Sequence, residues 1–131
     1  MKHTVLVAED RRTLREGMLQ ALTHEGYAAV GAANGQEALE YFESGGSASL
    51  IVLDLQMPVM DGWTFRQAQA TRPRIAGIPT IILSGLDVTH ADALGVPTAT
   101  LQKPVDLQTF IAAVRTVCDG LEGNGKIRSR R

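Results

Sequence analysis

Three carboxylates, a hydroxyl and a lysine occupy positions from which they could share one chemistry. Glu9 and Asp10 close the apolar run Thr4-Val5-Leu6-Val7-Ala8, and Asp54 closes Leu50-Ile51-Val52-Leu53. Ser84-Gly85 ends a third run, Thr80-Ile81-Ile82-Leu83, and Lys103-Pro104 ends a fourth segment. Each reactive group follows a strand-like stretch, always at the same end. In an open parallel sheet, ligands bind outside the carboxyl ends of the strands. The set therefore reads as a metal-and-phosphate site.

Taken singly, each residue has an ordinary explanation. Asp54 could start a loop or cap a helix, Asp10 could cap the first helix, Ser84 suits a turn, and Lys103 suits a solvated surface. Their shared placement changes the reading. At about 4 Å and an effective dielectric near 20, two like charges repel by about 4 kcal/mol. Glu9, Asp10 and Asp54 can crowd together only by raising a pKa or binding a cation. All-oxygen ligands favour a hard ion, and Mg²⁺ commonly takes one or two carboxylates with waters and phosphate oxygens. His3, His24 and His90 lie scattered without ligand spacing, which argues against zinc. A carboxylate can also carry an acyl phosphate, and phosphoryl transfer needs chiefly positioning and charge neutralisation. Lys103 would face the phosphoryl oxygens, with the Ser84 hydroxyl beside them and Gly85 leaving room.

The elements that position these groups follow from periodicity. Apolar runs alternate with helical patterns, the mark of a parallel sheet covered on both faces. Strands are expected at 4–9, 27–32, 49–54, 80–84 and about 98–102. The first is apolar throughout and hence central, and the second is rich in small residues and suited to an edge. Asp10 or Thr13 is expected to cap a first helix carrying Leu14, Met18, Ala21 and Leu22 on one face and stopping near Gly26. Asn34 to Glu37 starts a second helix that ends at Gly45-Gly46, and 62–71 forms a third. Pro73 and Pro79 bracket a loop. A short fourth helix is expected at about 87–93, stopped by Gly95. The last helix runs from about 106 to 118 on Leu107, Phe110, Ile111, Val114 and Val117. Right-handed crossovers then give a five-stranded αβ sandwich.

Composition bounds the rest. A chain of 131 residues suits one compact domain, its 44% hydrophobic content is ordinary, and its formal net charge is −1. Nothing in that balance suggests a nucleic-acid surface, and no apolar run approaches the roughly 20 residues that span a bilayer. The N-terminus shows no signal-peptide pattern, and a single cysteine, Cys118, excludes an internal disulfide framework, so a cytoplasmic location is expected. Residues 119–131 are glycine-rich and basic, with four cationic and two anionic groups, and are expected to form a flexible tail. Cys118 is expected in the core, Trp63 at the start of the third helix near Asp54, and Asp61-Gly62 at a turn and helix start.

Glu9-Asp10, Leu53-Asp54-Leu55, Met57-Pro58, Asp61-Gly62, the Ile78-to-Ser84 segment and Lys103-Pro104, in that order, resemble the receiver domain of two-component response regulators. The resemblance covers residues 3–118. It implies a flavodoxin-like α/β fold, a doubly wound five-stranded parallel sheet in the order 2-1-3-4-5 with five helices. It further implies a stand-alone switch in which Asp54 accepts a phosphoryl group from a sensor histidine kinase or histidine phosphotransferase. Glu9, Asp10, Asp54 and the main-chain carbonyl of Gln56 would hold Mg²⁺, Ser84 and Lys103 would bind the phosphoryl group, and the Lys103-Pro104 bond would be cis. Gln56 would tune the lifetime of the phosphorylated state, and a downstream protein would read it. Thr100 departs from the family, which places Tyr or Phe there, and the interval from Ser84 to Lys103 is a few residues short.

Two other classes compete. An aspartyl phosphohydrolase usually needs a second acid two residues after the nucleophile, where this chain has Gln56. A phosphorylation-independent adaptor draws support from Thr100 and the short interval alone. A dinucleotide-binding domain is disfavoured because no G-x-G-x-x-G follows the first strand.

Overall fold

The computed structural model describes residues 3–85 and 99–129, with side chains through residue 121. Five short, mainly apolar runs form the strands β1 (Thr4–Ala8), β2 (Ala28–Ala32), β3 (Leu50–Asp54), β4 (Thr80–Ser84) and β5 (Ala99–Gln102). All pair in parallel, in the order β2-β1-β3-β4-β5. The expected order is therefore the observed one, with β1 central and β2 at an edge. Every residue of β3 and β4 is buried, as strands covered on both faces require.

Alternation along the strands divides the core in two. Leu6, Ile51, Leu53 and Ile82 face α2 (Gly35–Glu43) and α3 (Gly62–Ala70), packing on Leu39, Phe42 and Phe65. Val5, Val7, Leu50, Val52, Ile81 and Leu83 face the other way, onto Met18 and Leu22 of α1 (Arg12–His24) and Phe110, Val114 and Cys118 of α5 (Leu107–Ser129). Cys118 is thus a buried core thiol. From β1 the chain winds to β2 on one side and to β3 on the other. That reversal opens a crevice at the carboxyl ends of β1 and β3.

Several boundaries differ from expectation. Neither Asp10 nor Thr13 caps α1; Arg11 occupies the cap position without a side-chain bond, and the Glu9 carboxylate accepts the Arg11 N–H instead (2.9 Å). The carboxylate that might have capped the helix is thereby turned toward the crevice. Residues 73–76, expected as loop, form a helical turn α4 (Pro73–Ala76), with Pro73 at a first-turn position where its missing N–H removes nothing. Helix α5 runs on to Ser129 instead of ending at 118. Residues 119–131 contain no proline, and glycine costs a helix only about 1 kcal/mol each, so a helix already propagating continues. The helix expected at 87–93 and its stop at Gly95 lie outside the described residues. Among the described residues, no helix is long and apolar enough to cross a membrane.

Candidate functional site

Strand register delivers the site. Ala8 pairs with Leu53, so Glu9 leaves the sheet level with Asp54. Asp54 pairs with Leu83 and Ser84 with Gln102, which places Ser84 and Lys103 at the same rim. The Lys103 N–H donates to the Ser84 carbonyl (2.8 Å), and the Lys103-Pro104 bond is cis. Opposite them, Asp61 caps α3 by accepting the Thr64 N–H (2.8 Å), and Gly62 lies against the Asp54 carbonyl, where a Cβ would approach to 2.5 Å. Asp61-Gly62 is accordingly a helix start, as expected. Trp63 follows it, half-buried, in a hollow also lined by Leu55, Gln56, Met57 and Pro58.

Glu9, Asp10 and Asp54 can each offer an oxygen to a common ion, these atoms lying within 4.8 Å of one another. Glu9 is fully buried, Asp54 is 2% exposed, and Asp10 is open to solvent. The Lys103 ammonium lies 2.7 Å from Glu9 Oε1 and 3.0 Å from Asp54 Oδ2. The Gln56 N–H donates to Asp54 Oδ1 (3.2 Å). Gln56 therefore meets Asp54 through its amide.

Burial pushes the Glu9 carboxyl above the usual carboxylate range, against the pull of Lys103 and of the Arg11 N–H. Asp54 is raised for the same reason, with Lys103 and the Gln56 N–H opposing and Asp10 adding repulsion. Lys103 experiences burial as its largest influence, which would lower it, but its hydrogen bonds to Glu9 and Asp54 outweigh that and hold it above the ordinary lysine value. One ammonium against three carboxylates leaves two negative charges to balance, the charge of one divalent ion. Glu9 Oε1 and Asp54 Oδ2 both pair with the one Lys103 ammonium, which neutralises only part of the cluster. An all-oxygen donor set with this residual negative charge fits a hard cation such as Mg²⁺.

The expected residues Glu9, Asp10, Asp54 and Lys103 thus come together, and Ser84 ends β4 at their level, 1% exposed. One contributor escaped sequence reasoning. Arg15, on the first turn of α1, donates from Nη1 to the Glu9 carbonyl (2.7 Å). Its four-residue spacing from Arg11 marks it as facing back toward the loop, but no motif signals a carbonyl acceptor.

Residues 5–115 match the family described as the response regulator receiver domain. The chain belongs to this family. Receiver domains are signalling phosphoacceptors of two-component systems and bind Mg²⁺ at an acidic pocket; this chain brings together an acidic cluster of Glu9, Asp10 and Asp54. Among curated relatives, the sensor kinase CckA of Brucella abortus is 36% identical over 122 residues, covering 88% of this chain and 12% of the kinase. Response regulator RR06 of Streptococcus pneumoniae is 40% identical over 82 residues, covering 63% of this chain and 36% of the regulator. The matched segments therefore span well under half the length of either relative. Among solved structures, the chemotaxis response regulator CheY4 of Vibrio cholerae superposes with a TM-score of 0.79 at 26% identity, covering 89% of this chain and 99% of that one.

Proposed function

We propose that this receiver is an autonomous switch in which Asp54 accepts a phosphoryl group from the phosphohistidine of a sensor histidine kinase or histidine phosphotransferase. The observation that carries the reading is the joint placement of three carboxylates within 4.8 Å and the Lys103 ammonium 3.0 Å from Asp54. Glu9, Asp10, Asp54 and the main-chain carbonyl of Gln56 would hold Mg²⁺, which when bound neutralises carboxylate and phosphoryl oxygens.

The chain's own groups do the rest. An Asp54 oxygen attacks phosphorus as the P–N bond breaks, and the electron pair leaves with the donor imidazole. Lys103, already paired with Asp54, keeps that carboxylate available as an anion despite its burial and then pairs with the transferred oxygens. The Ser84 hydroxyl meets one of those oxygens. Gln56, two residues past Asp54, would tune the lifetime of the acyl phosphate. Phosphorylation biases a two-state equilibrium that a downstream protein reads, or the group passes on to a histidine phosphotransferase. Because both halves of the core and the whole pocket come from this domain, the chemistry needs no other domain. The setting is cytoplasmic, which suits the buried Cys118 thiol.

The test is intact mass after incubation with acetyl phosphate, with Mg²⁺ or with a chelator, beside Asp54→Asn. The expected result is one added phosphoryl mass that requires both Mg²⁺ and Asp54. A folded, Mg²⁺-binding chain that gains nothing would overturn the proposal. Thr100, half-buried on β5 where the family carries an aromatic ring, favours one second reading, a phosphorylation-independent adaptor. Equal partner binding by wild type and Asp54→Asn would establish it.

A further inference from the structure

Arg15 sits where helix physics does not favour a cation. Helix N-termini carry partial positive charge, yet the first turn of α1 holds Arg12 and Arg15 and no acidic residue. Arg12 pairs with Glu16 on the exposed face (2.9 Å). Arg15 instead folds back, half-buried, and its Nη1 donates to the Glu9 carbonyl at 2.7 Å. The same residue is held from another side by its own N–H, which donates to the Ala32 carbonyl (3.0 Å). The Glu9 carboxylate accepts the Arg11 N–H. Three bonds thus fix the turn that presents Glu9 and Asp10.

Gly31 makes room for this arrangement. Glycine weakens a strand and marks a close approach of another group. A Cβ at Gly31 would lie 2.9 Å from Leu19 Cδ1, 3.3 Å from Arg15 Cδ and 3.6 Å from Arg15 Cγ. The Arg15 stem therefore crosses β2 at its one residue without a side chain.

We infer that Arg15 is a positioning residue for the divalent-cation site, holding the Glu9–Asp10 turn by its carbonyl and threaded over Gly31. The inference rests on the receiver reading of the acidic pocket. Outer groups that orient metal ligands typically contribute 10- to 100-fold in affinity. Charge predicts the opposite sign, since removing a cation near the pocket would by itself tighten Mg²⁺ binding. A weaker affinity can then arise only from lost positioning.

The test is Mg²⁺ titration of the whole chain by calorimetry for wild type, Arg15→Met, Arg15→Lys and Gly31→Ala, with Arg11 amide exchange measured on each ion-free protein. Arg15→Met keeps the stem and removes the donors. It is expected to weaken Mg²⁺ binding about tenfold and to speed Arg11 exchange. Arg15→Lys recovers part of the affinity through a single donor. Gly31→Ala, which retains Arg15 but displaces its stem, weakens binding in the same direction. A lowered melting temperature with unchanged Mg²⁺ affinity in Arg15→Met, or tighter binding, would overturn the inference while the receiver reading stands. Wild type that binds no Mg²⁺ would overturn both.

Discussion

The two loops that carry the acids are held by opposite means. The β1–α1 loop is pinned by a side chain: Arg15 reaches the Glu9 carbonyl, and the Glu9 carboxylate ties down the Arg11 N–H. The β3–α3 loop is pinned chiefly by backbone bonds, with the Asp54 and Asp61 carboxylates accepting the Gln56 and Thr64 N–H groups at its two ends. The Gly62 N–H donates to the Leu55 carbonyl (3.0 Å), the Gly35 N–H to the Met60 carbonyl (2.9 Å), and the Met60 N–H to the Pro58 carbonyl (2.7 Å), around Val59 at φ 69. A side-chain clamp can be loosened by degrees. A backbone contact cannot, because there is no space for one more methyl. The first loop accordingly governs how the pocket holds its cation, and the second governs whether Asp54 stands in place at all.

The contrast breaks most sharply at Gly62. An alanine Cβ would meet the Asp54 carbonyl at 2.5 Å and Leu55 Cα at 2.8 Å, both immovable without shifting β3 or α3. Gly62→Ala should destabilise the fold by about 3 kcal/mol in urea melts, as overpacking against rigid neighbours does. Gly17→Ala, with open space around it on α1, should instead stabilise by roughly 0.5–1 kcal/mol.

The softer loop should show itself through charge. The Glu9 and Asp54 carboxyls are raised by burial, so their ionised forms disfavour the folded state. With Mg²⁺ absent, stability should therefore rise as pH falls through the folded-state values, levelling off at the ordinary carboxylate values. A carboxylate lowered by folding would do the reverse. Glu9→Gln should reproduce that gain at neutral pH, stabilising the ion-free protein on the order of 1 kcal/mol, while weakening Mg²⁺ binding. Stability that falls on mild acidification would contradict the charge assignment.

Val59 tests the backbone loop from the other direction. It is β-branched, 84% exposed and in the left-handed region, a conformation that disfavours any residue with a Cβ by roughly 1–2 kcal/mol. Val59→Gly should stabilise by about 1 kcal/mol once the looser unfolded chain is counted. Val59→Ala, which keeps the backbone penalty and removes only exposed atoms, should change little. Smallest of all, deletion of residues 122–131 should shift stability by no more than about 0.5 kcal/mol, since Leu121 is already exposed and the core closes at Cys118.

Much of this architecture was legible because burial leaves a periodic trace. Runs such as Leu50 to Leu53 and Thr80 to Leu83 have no polar face, which only a doubly covered strand explains, and the acids that end them were visible as breaks in an apolar run. Other features leave no such trace. Arg15 acts on a carbonyl, and every residue has one. Gly31 and Gly62 look like ordinary glycines until β2 meets α1 and β3 meets α3. Asp10 matched a helix-cap pattern, yet Arg11 took the position because the Glu9 carboxylate satisfied its N–H. Glycines at 120, 123 and 125 read as a helix end, but with no proline to block it the α5 backbone carries through them.

The most direct test of the account is where the phosphoryl group lands. Borohydride reduces an aspartyl phosphate to homoserine, so peptide mass after acetyl phosphate and Mg²⁺ treatment marks the acceptor. The account predicts homoserine at position 54, abolished by chelation of Mg²⁺. Homoserine at position 10, at another carboxylate, or nowhere in a folded chain that binds Mg²⁺ would contradict it.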